Sequence, residues 1–279
     1  MVEPIGVIAG AISIATAFTA CVDCFEYVKF GRHFKRNFQT DYLTLECTRL
    51  RLTRWGQAVN IYDDPRLGRP DASPEEVQLA CDILHQVLVL FANTKEISEN
   101  HRAEIEPKKN ITVLGRADLN SFVAELSNKM RALAIRRQKN GTSDLKTTSW
   151  ALYDRSEFAD LIQGVTSLVG NLESLFPASQ GQRAAQDETM DIGGEHALLS
   201  IQSAAQGVDS LLQKATAEAL SHRYSNIKIQ GKAQVGDAFS SNWKGTATKR
   251  SHVYDGIEVG KDGKALIGNQ YGGKDFWVD

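Results

Sequence analysis

Ser221-His222-Arg223-Tyr224 returns as Ser251-His252-Val253-Tyr254, and Gly231-Lys232-Ala233-Gln234-Val235-Gly236-Asp237 returns as Gly263-Lys264-Ala265-Leu266-Ile267-Gly268-Asn269. The second block lies farther from its copy than the first block does from its own, by two positions, so the second copy carries an insertion, best placed at Lys261 and Asp262. Apolar and polar residues alternate within each copy, as in Ile227-Lys228-Ile229 and Ile257-Glu258-Val259. That period of two belongs to strands. Two short copies cannot bury a core alone, because a stacked unit needs neighbours on both sides. The tail, residues 221–279 with pseudo-repeats 221–244 and 251–279, is therefore expected to be disordered in the soluble monomer and to find its partner in another copy of itself.

Stacking the copies ~4.7 Å apart puts Ile227 on Ile257, Ile229 on Val259, Ala233 on Ala265 and Val235 on Ile267, so the apolar faces match. Lys228 meets Glu258, an opposite-charge pair that favours alternation of the two copies over stacking of identical ones. Lys232 over Lys264 is a like-charge mismatch, tolerable where both point to solvent. Gly236 and Gly268, with Gly231 and Gly263, stand where the strands must turn. Asn269 and Asp237 share a corner.

The rest of the chain, residues 1–220, reads as helices. With 279 residues, 42% of them hydrophobic, the protein can bury a substantial core. A net charge of −2 offers no electrostatic case for nucleic acid. Four cysteines, Cys21, Cys24, Cys47 and Cys81, fit a reducing compartment better than a disulfide framework. Cys21 and Cys24 have half of a zinc-site spacing, but no second pair at ligand spacing follows, and both fall in an apolar helical pattern, so they read as core residues.

From Ile5 to Val22 the chain carries no charge at all. As a helix at ~1.5 Å per residue the run would measure ~27 Å, just short of a ~30 Å bilayer core. No basic segment precedes it, which argues against a secretory signal. A constitutive anchor, a buried core helix, and a helix buried first and inserted later all compete. The strong apolar members, Ile5, Val7, Ile8, Ile12, Ile14, Phe18 and Val22, contribute roughly 0.3 to 0.6 kcal/mol each on an insertion scale, which is marginal once the polar residues and glycines are subtracted. Such a segment is soluble when packed and insertable when released. Gly6 and Gly10 form a GxxxG spacing, which serves close helix pairing in lipid and tight packing in a bundle equally well.

Further on, Thr40 or Asp41 can cap a helix carrying Leu43, Cys47 and Leu50. Ser73-Pro74-Glu75-Glu76 is a capping box ahead of the stripe Val77, Ala80, Ile83, Leu84, Val87, Leu88 and Phe91. A polar connection is expected from Asn93 to Asn110, then a helix with Phe122, Leu126, Met130 and Leu133 whose basic end (Arg131, Arg136, Arg137, Lys139) reads as a solvated terminus. Trp150-Ala151-Leu152-Tyr153 is expected to open a helix that runs to Leu175, a polar loop to reach Gly194, and a last helix to run from Leu198 to Leu220. No phosphate loop, paired-carboxylate site or zinc motif appears, so neither an enzyme nor a cofactor is indicated.

Several short stretches together resemble the fungal HET-S/HET-s family. They are Cys21-Val22-Asp23-Cys24-Phe25-Glu26-Tyr27-Val28, Gly31-Arg32-His33-Phe34, Arg51-Leu52-Thr53-Arg54-Trp55-Gly56, Asp63-Asp64-Pro65-Arg66, Trp150-Ala151-Leu152-Tyr153-Asp154, and the ending Ile267 to Trp277 with Tyr271, Phe276 and Trp277. The resemblance implies an all-α HeLo-type helical bundle followed by a tail that folds into a two-repeat β-solenoid amyloid. It implies a non-enzymatic cell-death executor in heterokaryon incompatibility and fungal innate immunity. The tail would be templated by a homologous prion-form protein or by an NLR-type receptor with a similar motif. The N-terminal helix would then be released to permeabilise the plasma membrane, the protein being cytoplasmic until that point. His33 stands where the toxic type of the family has histidine. A soluble self-assembling signalling adaptor without membrane action is the alternative.

Overall fold

The computed structural model describes residues 13–31, 34–104, 113–138, 149–152, 154–239 and 252–271. Ile5, Gly6, Val7, Ile8, Gly10, Ile12, His33, Phe276 and Trp277 lie outside them. The chain divides into two compact units, Met1–Thr216 and Ala217–Asp279.

In the first unit, helix α1 spans Ile14–Tyr27 and starts at Ser13, whose extended backbone and Oγ, accepting from Thr16 N, form an N-cap. A helix start therefore falls inside the uncharged run. Strand β1, Val28–Gly31, follows directly. Helix α2, Phe38–Ala58, begins ahead of Thr40 and Asp41, with Asn37 at the cap position. Phe38 draws the start forward by packing into an aromatic cluster with Phe30 and Tyr42.

Helix α3, Pro74–Glu104, carries the capping box at its start: Glu76 N donates to Ser73 Oγ, and Ser73 N donates to the Glu76 carboxylate at 2.8 Å. It runs straight through the stretch from Asn93 that polarity marks as a connection. Thr94 and Ser98 there are buried, and Ser98 donates to Glu157 at 2.8 Å, so polar side chains find partners on a helix face.

Strand β2 (Val113–Leu114) and a 3-10 turn precede α4 (Ser121–Arg136), which Asn120 caps through Val123 N at 2.8 Å. Trp150–Leu152 is a strand, β3, in place of the expected helix start. It lies parallel to β1, with β2 antiparallel on the other side. Every residue of β3 is buried, so no alternation betrays the strand.

Helix α5, Arg155–Leu175, is followed by α6, Gly181–Ile192, in the stretch expected to be a polar loop. Gly193 and Gly194, both at positive φ, separate it from α7, Glu195–Ala204. The single last helix expected to Leu220 is two, because a turn with Gly207 at φ 78° precedes α8, Ser210–Leu220. Helix α2 is the centre of this unit, packing against α1, α4, α5, α6 and α7.

Among its described residues the second unit holds eight short strands. In the first repeat they are β4 (His222–Ser225), β5 (Lys228–Ile229), β6 (Lys232–Val235) and β7 (Ala238–Phe239). In the second they are β8 (His252–Asp255), β9 (Glu258–Val259), β10 (Lys264–Ile267) and β11 (Gln270–Tyr271). Each strand pairs in parallel with its counterpart in the other repeat, giving two stacked layers. The described part of the first unit is helical with one small sheet, and the tail is seen in its stacked form.

Candidate functional site: a sheathed helix and a stacked tail

Helix α1 is sheathed on its apolar side. Phe18 and Val22 are fully buried and Ile14 is half-buried; full burial of an apolar side chain is worth ~1.5–3 kcal/mol. The Phe18 ring lies directly on the backbone of α2 at Gly56, where an added Cβ would overlap the ring. Glycine in the last turn of α2 is thus required by the close approach. Trp55 and Tyr62 flank the same ring, with centroids 6.4 and 5.9 Å away.

Polar ties complete the seat. Cys21 Sγ donates to Leu84 O at 3.1 Å, Thr19 and Tyr62 share a hydroxyl hydrogen bond of 3.0 Å, and buried Asp23 accepts from Gln138 at 3.3 Å. Glu26 pairs with Arg49 on α2 and, at 2.6 Å, with Arg131 on α4. Burial raises the Glu26 carboxyl, but the two guanidiniums outweigh it and hold the group below its ordinary value. The Cys24 thiol is pushed up to about 12 by burial and by neighbouring Asp23, and Cys47 is raised by burial, so both stay protonated. They pack as small apolar residues, and no cluster of metal-ligating residues exists among the described residues.

Arg51-Leu52-Thr53-Arg54-Trp55-Gly56, singled out in the sequence only as a likeness, is the hub of the helical unit. Arg54 reaches Glu188 on α6 through two bonds of 2.9 Å and Asp209 through bonds of 3.0 and 2.6 Å. These three side chains are at most 2% exposed. Burial opposes the Arg54 charge, but Asp209 and Glu188 outweigh it and keep the guanidinium firmly protonated. Asp209 also caps α8, accepting from Leu212 N at 3.0 Å. Arg137 joins Glu188 at 2.7 Å with its side chain 8% exposed, so this part of the basic end of α4 is not the solvated terminus that charge alone suggests. Two cations meet two carboxylates, and the cluster is neutral. Arg51 holds Glu173 at 2.6 Å and the carbonyl of Val208 at 2.9 Å, while Trp55 Nε1 donates to Phe176 O at 3.2 Å. This short stretch of α2 therefore ties α1, α5, α6 and the start of α8 together.

In the tail, Lys228 lies opposite Glu258 with Nζ and Oε2 3.5 Å apart, Ile229 opposite Val259, Ala233 opposite Ala265, and Val235 opposite Ile267. Lys232 and Lys264 are in register and both exposed. Ile227 and Ile257 are half-buried just before β5 and β9. Strand pairs up to Val259 keep the spacing of His222 to His252, and those after it the spacing of Lys232 to Lys264, so the insertion falls in the turn at Lys261 and Asp262.

Corners repeat as well. Asn226 and Gly256 share a left-handed corner at φ 54° and 63°, which the period of two does not reveal, and Gly236 and Gly268 share another at φ 142° and 122°. Asp237 N donates to Asn269 Oδ1 at 3.2 Å, and the Asp237 carboxylate lies 3.5 Å from His252 Nε2. Tyr224 and Tyr254 stack with centroids 5.3 Å apart and planes 9° from parallel. Tyr271 takes part in β11 through its backbone. Exposure is uneven: Ile229 and Val235 are 4% and 6% exposed, their partners Val259 and Ile267 45% and 47%.

One described helix segment, Pro74–Asn100 of α3, is long and apolar enough to cross a membrane by length and composition. Its Ala80, Leu84, Val87 and Phe91 are buried, as in any core helix.

Comparison with known proteins places this architecture. Residues 6–213 match the HeLo family model, described as prion-inhibition and propagation. The heterokaryon incompatibility proteins S and s of Podospora anserina are each 33% identical over 289 aligned residues, covering 99% of this chain and 99% of each relative. The solved HET-s N-terminal domain superimposes with a TM-score of 0.69 at 33% identity over 75% of this chain and 97% of that one, and a substituted form of it with 0.68 at 34% over 74% and 97%. The helical bundle with its buried first helix, and the tail that follows it, are thus those of a member of the HeLo family.

Proposed function

We propose that this protein is a non-enzymatic executor of heterokaryon incompatibility, in which stacking of the tail triggers release of the N-terminal helix into the plasma membrane. The observation that carries this reading is the unfinished stack. Val253, Val259 and Ile267 of the second layer are 43%, 45% and 47% exposed, on a parallel ladder whose outer backbone groups can accept a further layer. A second copy of this chain, a homologous prion-form protein or an NLR-type receptor with a similar motif supplies that layer. The monomer's tail is disordered until then, because its few large apolar residues do not offset the entropy of ordering it.

The membrane step rests on the segment from Met1 to Val22. Phe18 and Val22 sit in the bundle core, so release of the uncharged run requires removing α1 from its seat. The protein is cytoplasmic while the helix is sheathed and acts at the plasma membrane once it is freed, and His33 in the sequence favours the toxic type. Similarity to the two incompatibility proteins supports the setting. Seeding the full chain with its own fibrils in the presence of dye-loaded anionic vesicles tests the mechanism. Dye release that is lost on truncation of residues 1–21 supports it; fibrils that form without release leave a self-assembling adaptor instead.

A further inference from the structure

Helix α3 carries more apolar surface than the bundle uses. Its segment Pro74–Asn100 is 27 residues long, ~40 Å as a helix against a ~30 Å bilayer core, yet only 33% of its most apolar stretch is buried. A helix packed on one core needs an apolar stripe of about 100°. Between Val77 and Thr94, Ile83, Leu84, Val87, Leu88, Leu90 and Phe91 spread over roughly 160° of α3 at ~100° per residue, on an arc without a charged residue. Leu88 and Leu90 are only half-buried there, and Leu79 and Val89 beyond the arc are 49% and 54% exposed. The opposite arc holds Gln78, Asp82, Gln86 and Asn93, all exposed. Asp82 is the one acidic or basic residue, histidine aside, in this stretch.

Helix α1 lies on the apolar arc. The Phe25 ring meets Phe91 with centroids 5.0 Å apart, and Cys21 Sγ donates to Leu84 O. Departure of α1 therefore bares Leu84 and Phe91, which are fully buried at rest, and leaves α3 with an apolar face turned to water.

We propose that α3 follows α1 into the bilayer and lines the aqueous path, its apolar arc against acyl chains and its polar arc against water. The run from Ile5 to Val22 does not supply such a lining, since Ser13, Thr16 and Thr19 are its only hydroxyl residues and it holds no amide or charge. Copies set side by side close their polar arcs around water, so that Asp82 never meets lipid. The inference rests on the proposed membrane action and adds the segment that faces the pore.

Current through a planar anionic bilayer, from the full chain seeded with its own fibrils, tests the lining. Under a salt gradient the parent is expected to prefer cations because of Asp82, and Asp82→Asn to lower the cation-to-anion permeability ratio severalfold. Gln86→Glu should move the reversal potential further toward cations and Gln86→Lys toward anions, whereas Ser203→Lys, at an exposed position of α7, leaves it in place. A second readout needs no substitution: vesicles with a diazirine on the acyl chain should label the parent between Val77 and Thr94 after seeding and not before. Current with one reversal potential in the parent and all four variants overturns the lining and leaves membrane action standing, as do acyl adducts that spare α3. A parent chain that passes no current overturns both.

Discussion

The helical unit and the tail are held together by opposite strategies. In the helical unit each polar contact is made once: Arg54 fits Glu188 and Asp209, Arg51 fits Glu173 and Val208 O, Glu26 fits Arg49 and Arg131, and Gly56 fits Phe18. In the tail the same contact is made again and again by translation along the stack, strand on strand and Tyr224 on Tyr254. A surface of unique fits is closed and cannot grow. A translated ladder ends in unsatisfied edges and can add layers. The same chain therefore carries one part whose stability limits change and another whose growth can drive it.

The sharpest way to separate the two strategies is to remove a buried one-off partner. Arg54→Ala leaves Glu188 and Asp209 buried without their shared cation, and urea denaturation is expected to show a loss of about 3–5 kcal/mol in the helical unit. Fibril growth from the same variant should be unchanged; a matching loss of growth would mean that the two units do not stabilise themselves separately. Next in size are the corner glycines. A Cβ at Gly236 would collide with Gly268 O on a φ of 142°, whereas Gly268 has open space around it and only its φ of 122° against substitution. Gly236→Ala should slow seeded elongation by about tenfold or more, and Gly268→Ala by a comparable factor because a further layer covers its open side, backbone strain alone costing ~1–3 kcal/mol. Unimpaired elongation in either variant would show that the stacked corners differ from those described.

The α1 anchor tests the comparison through pH. Because Arg49 and Arg131 hold the Glu26 carboxyl below its ordinary value of 4.5, its contribution is present above that value and is lost as pH falls through the lower folded value. Glu26→Gln should cost about 1–3 kcal/mol at neutral pH and nothing in strong acid. A pH-independent difference between the two proteins would assign the loss to packing. The smallest effect belongs to the tail's exposed ion pair, with Lys228 and Glu258 at 76% and 71% side-chain exposure. Lys228→Glu should weaken stacking by ~0.2–1 kcal/mol, and adding Glu258→Lys should restore it. Failure of the double exchange to recover seeding in low salt would remove any role for the pair in setting register.

The contrast also explains what is readable from sequence. A capping box such as Ser73 to Glu76 is local and shows in consecutive residues. The strand β3 is short and buried on every side, a pattern without a period, so it reads as helix. Helix α6 reads as a loop because its buried residues include Glu188 and Thr189, polar side chains whose partner or neighbouring carbonyl satisfies them inside the fold. The Ser13 cap is hidden because the apolar run reads straight through it.

Sequence alone determined that this chain has a helical part and a duplicated tail, and the spacing between the two copies carries their pairing, because translation along a stack is written directly as repetition. Only the tertiary structure decided what locks the helical part. Arg54 meets its partners across 134 and 155 residues of chain, and nothing local distinguishes that arginine from one in solvent until folding removes the water around it.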